Sequence, residues 1–205
     1  MDVDDRMVAV LSALIGCQGV DLFREMVPAA VRSGLTPVEI REIVYQSVAY
    51  MGMGRVLPFI RAMDSAFEGM GVQLPLESQK TVAYGERAER GEDIQVEAFG
   101  EGMRGFHASG PEEKRHINLW LSANCFGDYY TRGGLDLRRR ELVAFCLLAA
   151  QGGCEPQLTS HAAANMAVGN GRLYLIETVS QCLPYIGYPR FLNALACIDK
   201  AADGQ

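Results

Sequence analysis

One pattern occurs twice in this chain, and it restricts the fold more than any other feature. Glu42, Val44, Gln46, Tyr50, Gly52 and Arg55 return, each 135 positions later, as Glu177, Val179, Gln181, Tyr185, Gly187 and Arg190. The same shift lays Gly34 on Gly169 and Val8-Ala9 on Val143-Ala144 without a gap, so roughly residues 5–64 duplicate residues 140–199. A short unit that recurs in one chain cannot bury its apolar faces alone and needs a neighbour to stack on. The sequence therefore predicts an N-terminal partial repeat over 1–70, structural in role, and a complete C-terminal unit over 78–205. The copies differ at ionisable positions: Glu141, Cys154 and His161 fall on Arg6, Gly19 and Met26.

The periodicity is helical nearly throughout, and few runs alternate as strands do. Helices are expected over 5–15, 20–32, 37–50 and 55–69. In the third, Thr36 caps, Pro37 fits the first turn and Glu39 completes a capping box. A helix over 78–90, interrupted at Gly91, is expected to continue over 92–106, with another over 112–125 carrying Ile117, Trp120 and Leu121 on one side. Residues 126–135, rich in glycine and aromatics, read as a loop. Asp136 caps a helix that is apolar on nearly every side over 142–150 and is therefore central. Gly152-Gly153 ends it, and Pro156 opens the helix that carries His161. Helices over 173–186 and 189–201 close the chain. The fold class is all-α.

Net charge is −6 and the sequence pI is about 5.1. These values argue against nucleic acid and an anionic membrane surface as partners. The apolar run 143–150 is too short to span a bilayer. Six cysteines lie mostly inside apolar runs with no Cys-x-x-Cys and no zinc spacing; that usage fits buried thiols in a reducing, cytoplasmic compartment.

Three residues near the second copy's first turn carry chemistry. His161 suits proton transfer near neutral pH. Glu141 precedes Gly153 by about as much helix as separates Gly153 from His161, to within roughly one turn at 1.5 Å per residue. The carboxylate can thus reach the imidazole, directly or through a water, and fix its tautomer. Two readings stand for Cys154: a thiol activated by a helix start, or a small filler at a tight turn. Arg132, beside Tyr129 and Tyr130, reads either as a carboxylate fork or as a solvated loop residue. The run 138–140, Arg-Arg-Arg, reads as a solvated face or a subunit contact.

Four stretches taken together carry a resemblance: Glu86-Arg-Ala-Glu-Arg-Gly-Glu-Asp, Cys125-Phe-Gly-Asp-Tyr-Tyr-Thr-Arg-Gly-Gly-Leu-Asp136, Gln157-Leu-Thr-Ser-His161 and Tyr185-Ile-Gly-Tyr-Pro189. In this order the chain resembles the carboxymuconolactone decarboxylase family, whose fold is alkylhydroperoxidase D-like. The resemblance implies subunit rings, no metal, no organic cofactor, and a place in the degradation of aromatic compounds. Its thiol-reductase branch carries Cys-x-x-Cys-x-x-x-His, and here Gln157 stands at the second cysteine. A dithiol cycle cannot close locally without it.

The reading that follows is a cofactor-independent lyase, or a related isomerase, for a small-molecule carboxylate: a carboxylated lactone or keto acid. Loss of carbon dioxide leaves an enolate that needs a donor and then a proton on carbon, which His161 can supply. Arg132, Tyr129 and Tyr130 are the expected substrate contacts, with Glu141 and Cys154 beside the histidine. Two alternatives are a peroxide or disulfide oxidoreductase using Cys154, and a ring-forming protein without catalysis. A two-unit chain would build the family ring with half as many copies, as a homotrimer of pseudo-hexameric appearance.

Overall fold

The computed structural model describes residues 1–204; residue 205, the last of the C-terminal unit as read from sequence, lies outside the described residues. Among the described residues all regular elements are helical, and the all-α class holds. Four helices come first: α1 (Val3–Gly16), α2 (Val20–Ser33), α3 (Pro37–Met51) and α4 (Met53–Gly69). After an irregular stretch come α5 (Arg87–Phe99), several single 3₁₀ turns, and α6 (Arg115–Trp120), which runs on into a π-helical segment, Leu121–Tyr130. The last three are α7 (Leu137–Gln151), α8 (Glu155–Ala167) and α9 (Arg172–Asp203), the last broken at Gly187.

The caps form as the sequence dictates. Thr36 and Glu39 close a capping box on α3 with Pro37 in its first turn, and the Asp136 carboxylate accepts the Arg139 amide at the start of α7. Each satisfies an amide that the first helical turn leaves unpaired. The break in α9 is set by Gly187 at φ 75° and ψ 165°. Gly52, between α3 and α4, adopts φ 76° and ψ 150°. Both lie in a region that residues with a Cβ avoid, so the two copies of the sequence pattern turn in the same way.

α7 is buried from Arg140 to Ala150, and α1 from Met7 to Gly16. The two pack on each other at the centre, α9 lies against α1, and α3 lies against α7. Each sequence copy thus places its third helix on the other copy's first.

Several expectations need correction, beginning with the helix expected from 78, which starts only at a 3₁₀ turn, Tyr84–Glu86. Gly91 does not interrupt a helix; it lies inside α5, where a Cβ would sit 1.9 Å from the Ser122 carbonyl oxygen. Its missing side chain lets α5 touch the backbone of the π-helical segment. Helix does not continue to 106 either, because Gly100 and Gly105, both at positive φ, divide residues 100–114 into single turns. Helix runs on through residues 126–130 instead of giving way to a loop, it changes from α to π at Leu121, and it exposes Ile117, Trp120 and Leu121.

The arginine run is not a solvated face. Arg140 is fully buried, and its guanidinium bonds Gln46 Oε1 at 3.1 Å, the Arg132 carbonyl at 2.7 Å and the Glu42 carboxylate at 3.4 Å. Arg138 and Arg139 converge on buried Asp5 at 3.0 and 2.9 Å, and Tyr174 donates a short hydrogen bond to the same carboxylate. Burial pushes the Asp5 carboxyl up, but the Tyr174 bond and the two guanidiniums outweigh it and hold it below its ordinary 3.8. A group depressed in the folded state stabilises above its unfolded pKa, and the contribution fades as pH falls through the folded one. Asp5→Asn is expected to cost about 1–3 kcal/mol at neutral pH. In urea titrations run at several pH values, the wild-type advantage should shrink as the pH drops below about 3.8.

Candidate active site

A chain of side-chain contacts starts at Glu141 on α7. The α7–α8 hairpin brings His161 beside it, and His161 Nδ1 lies 2.7 Å from Glu141 Oε2, a direct contact with no water between. Asn165 fixes that pairing by donating to the Glu141 carbonyl at 2.9 Å and the His161 carbonyl at 2.7 Å. Asn170 donates in turn to Asn165 Oδ1 at 2.8 Å. Glu141 is fully sequestered, and its other oxygen, Oε1, has no hydrogen-bond partner. With the carboxylate on Nδ1, the imidazole presents Nε2 outward.

Nε2 meets the Tyr50 hydroxyl at 3.4 Å, and that hydroxyl lies 2.6 Å from the Tyr130 hydroxyl. The Tyr50 and Phe99 rings stand edge-on to the imidazole with centroids 5.4 and 5.3 Å away. Burial first, then Cys125 and Glu141, pushes the Tyr50 phenol well above its usual range. Burial, Glu141 and Tyr50 do the same to Tyr130. Both phenols remain protonated donors at neutral pH.

His161 opens onto a cavity of about 720 Å³. That volume falls within the roughly 300–1,000 Å³ common for small-molecule sites. Its walls come from α3, α5, the π-helical segment, α7 and α8, and they are largely apolar, with Phe99, Met103, Leu121 and Leu148 among them. Among the described residues, no lysine, arginine, aspartate or glutamate lines it.

Cys154 lines this cavity too, but its thiol is not activated. Burial raises it, with Glu155 and Cys197 adding to the effect, and the sulfur donates to the Leu148 carbonyl at 3.4 Å. The helix start loses to desolvation and a neighbouring carboxylate. Cys125, which the sequence reading passed over, lines the same cavity, and burial pushes it up to about 12.

The expected substrate contacts lie elsewhere. Arg132 is clamped by Glu42 at 2.7 and 2.9 Å, and with Tyr129 it faces a separate recess of about 250 Å³. The nearest buried carboxylate has captured the fork, so it is not free for a ligand beside His161. Tyr130 serves the relay through Tyr50 instead of the cavity wall. Tyr50 itself was missed as a site residue. The signal was present, since Tyr50 belongs to the repeated pattern, but the sequence reading treats recurring residues as scaffold.

No curated protein matches this chain. Residues 118–200 match the family model described as the Carboxymuconolactone decarboxylase family. Glu141, Cys154 and His161 all lie inside that matched stretch.

Proposed function

We propose that the chain is a cofactor-independent lyase that decarboxylates a carboxylated lactone or related keto acid, with His161 as the proton carrier. One observation carries the reading: a Glu141–His161 pair, continued through Tyr50 to Tyr130, opens at His161 and Tyr50 onto a largely apolar cavity. The electrons of the breaking carbon–carboxylate bond pass to the neighbouring carbonyl as carbon dioxide leaves, giving an enolate. Tyr50 O–H, kept protonated by burial, is placed to donate toward that oxygen, and His161 delivers a proton to carbon. Glu141 orients the ring and stabilises the imidazolium when it forms. The thiol reading is weaker because Gln157 replaces the second cysteine and both cavity thiols are raised above their ordinary range.

The N-terminal unit is read as a degenerate copy, supported by helix bounds and glycine turns that recur at the 135-residue shift. A homotrimer is proposed from the apolar side chains that the single chain leaves in water: Trp120 is 63% exposed, Leu173 73% and Tyr188 68%. A cytoplasmic location is proposed on the six free cysteines, and no described helix is long and apolar enough to cross a membrane.

His161→Gln is expected to keep the fold and lower kcat by about 10²–10⁴-fold in a carbon dioxide release assay over a panel of carboxylated lactones and keto acids. Glu141→Gln should cost less, since it acts through the ring. Cys154→Ser should lose less than tenfold; abolished activity, or a peroxide-dependent turnover that needs this thiol, would favour the oxidoreductase. Light scattering should give three times the chain mass, and a stable monomer in dilute solution would remove the trimer.

A further inference from the structure

Among the described residues, Arg41, Arg132 and Arg140 share one ion-pair partner, Glu42, at 3.4, 2.7 and 3.4 Å. Glu42 and Arg140 are fully buried, and Arg41 is 5% exposed. Carbonyls take some of the remaining donors: those of Arg132 and Gly133 for Arg140, and that of Glu77 for Arg41 at 2.7 Å. They carry no countercharge, so three guanidiniums stand against one carboxylate. Buried charges are ordinarily paired, because desolvation alone is costly. Arg41 is the member of the trio that opens onto free space. It lines a recess of about 360 Å³ with Tyr45 of α3, Met63 and Asp64 of α4, and Leu74, Pro75 and Leu76 of the irregular stretch. Its Nη2 holds the Glu77 carbonyl and Glu42, and its Nε is sealed. Its Nη1 has no partner among the described residues and keeps solvent access. Every guanidinium nitrogen is a donor and none accepts. Asp64 is the one acid of the recess, and it makes no ion pair with Arg41. The recess shares no lining residue with the His161 cavity.

We infer that this recess is a second ligand site, apart from the His161 cavity, and that it takes a small apolar monocarboxylate, with the carboxylate on Arg41 Nη1 and the body against Leu74, Pro75 and Leu76. A carboxylate supplies the charge that the three arginines lack, and hydrogen bonds between a guanidinium and a carboxylate are among the stronger ones. The volume falls at the lower end of the roughly 300–1,000 Å³ common for small-molecule sites. A dicarboxylate is disfavoured, since its second charge would meet Asp64 and apolar walls with no further cation in the recess. A neutral molecule of the same shape fits the walls but leaves the arginine charge unanswered.

The test is titration calorimetry of the full chain at neutral pH and fixed ionic strength with three probes: benzoate, its neutral counterpart benzamide, and the dianion terephthalate. Benzoate is expected to bind, and the other two to bind more weakly by about tenfold or more. Arg41→Met should weaken benzoate by about 10–100-fold, the range of a hydrogen bond to a charged group. Leu76→Trp fills the recess without touching the guanidinium and should lose benzoate as well. It decides the matter if Arg41→Met does not fold. Benzamide or terephthalate binding as tightly as benzoate would overturn the inference. Benzoate affinity that ignores the substitutions would place the anion elsewhere, in the His161 cavity for instance, and overturn it too. So would a wild-type chain that binds no benzoate, as when an acid of a second copy already fills the recess. Carbon dioxide release plays no part in these outcomes, so the lyase reading can fail while this one stands.

Discussion

Arg140 and Glu141 are adjacent in sequence, opposite in charge and both fully buried. Successive residues on a helix point about 100° apart, so the two cannot be satisfied from one side. Arg140 is met by Glu42 and Gln46 of α3, and Glu141 by His161 of α8. Burial pulls the Arg140 guanidinium below its usual range, although Glu42 opposes the shift. Removing either partner would leave a charge in the interior, at a cost of about 3–5 kcal/mol. α3 is thus required by the electrostatics of α7, and with α7 held on one side, its other side can present a carboxylate to the histidine.

Much of this was legible in the sequence where the cause is local. Thr36, Pro37, Glu39 and Asp136 announce helix starts because capping is a relation between residues three or four apart. The central place of α7 follows from its unbroken apolar surface. The Glu141–His161 pair follows from hairpin arithmetic, since a two-glycine turn fixes how far each helix runs. What the sequence did not yield depends on partners far along the chain. Arg140 looks like one member of a solvated run until Glu42, almost a hundred positions away, is seen beside it. Gly91 looks like a helix breaker because nothing near it in sequence tells of the Ser122 backbone. Arg132 looks like a free fork because its captor lies on α3.

The thiols show the same division. A cysteine after two glycines at a helix start has the sequence of an activated thiol, and the positive end of the helix does favour the thiolate. At Cys154 that term competes with burial, and the adjoining Glu155 adds a negative charge. The sum is a raised thiol. Sequence supplies the dipole and the neighbour, but the desolvation that decides the sign comes from tertiary packing.

The buried carboxylate also bears on the positions at which the two occurrences of the sequence pattern differ. A glutamate at the Glu141 position is tolerable only while an imidazole sits against it. In the 135-residue register the first copy has Met26 where the second has His161, and Arg6 where it has Glu141. A methionine cannot neutralise a carboxylate, so the pair has to be kept or lost as a unit. Arg6 is exposed, as a lone charge must be. The first copy nevertheless retains Glu42, Gln46 and Tyr50, and each of these reaches into the second: two meet Arg140, and one meets His161. The residues of the pattern's first occurrence that reach α7 and α8 are thus the ones that the buried charge of Arg140 and the imidazole of His161 meet.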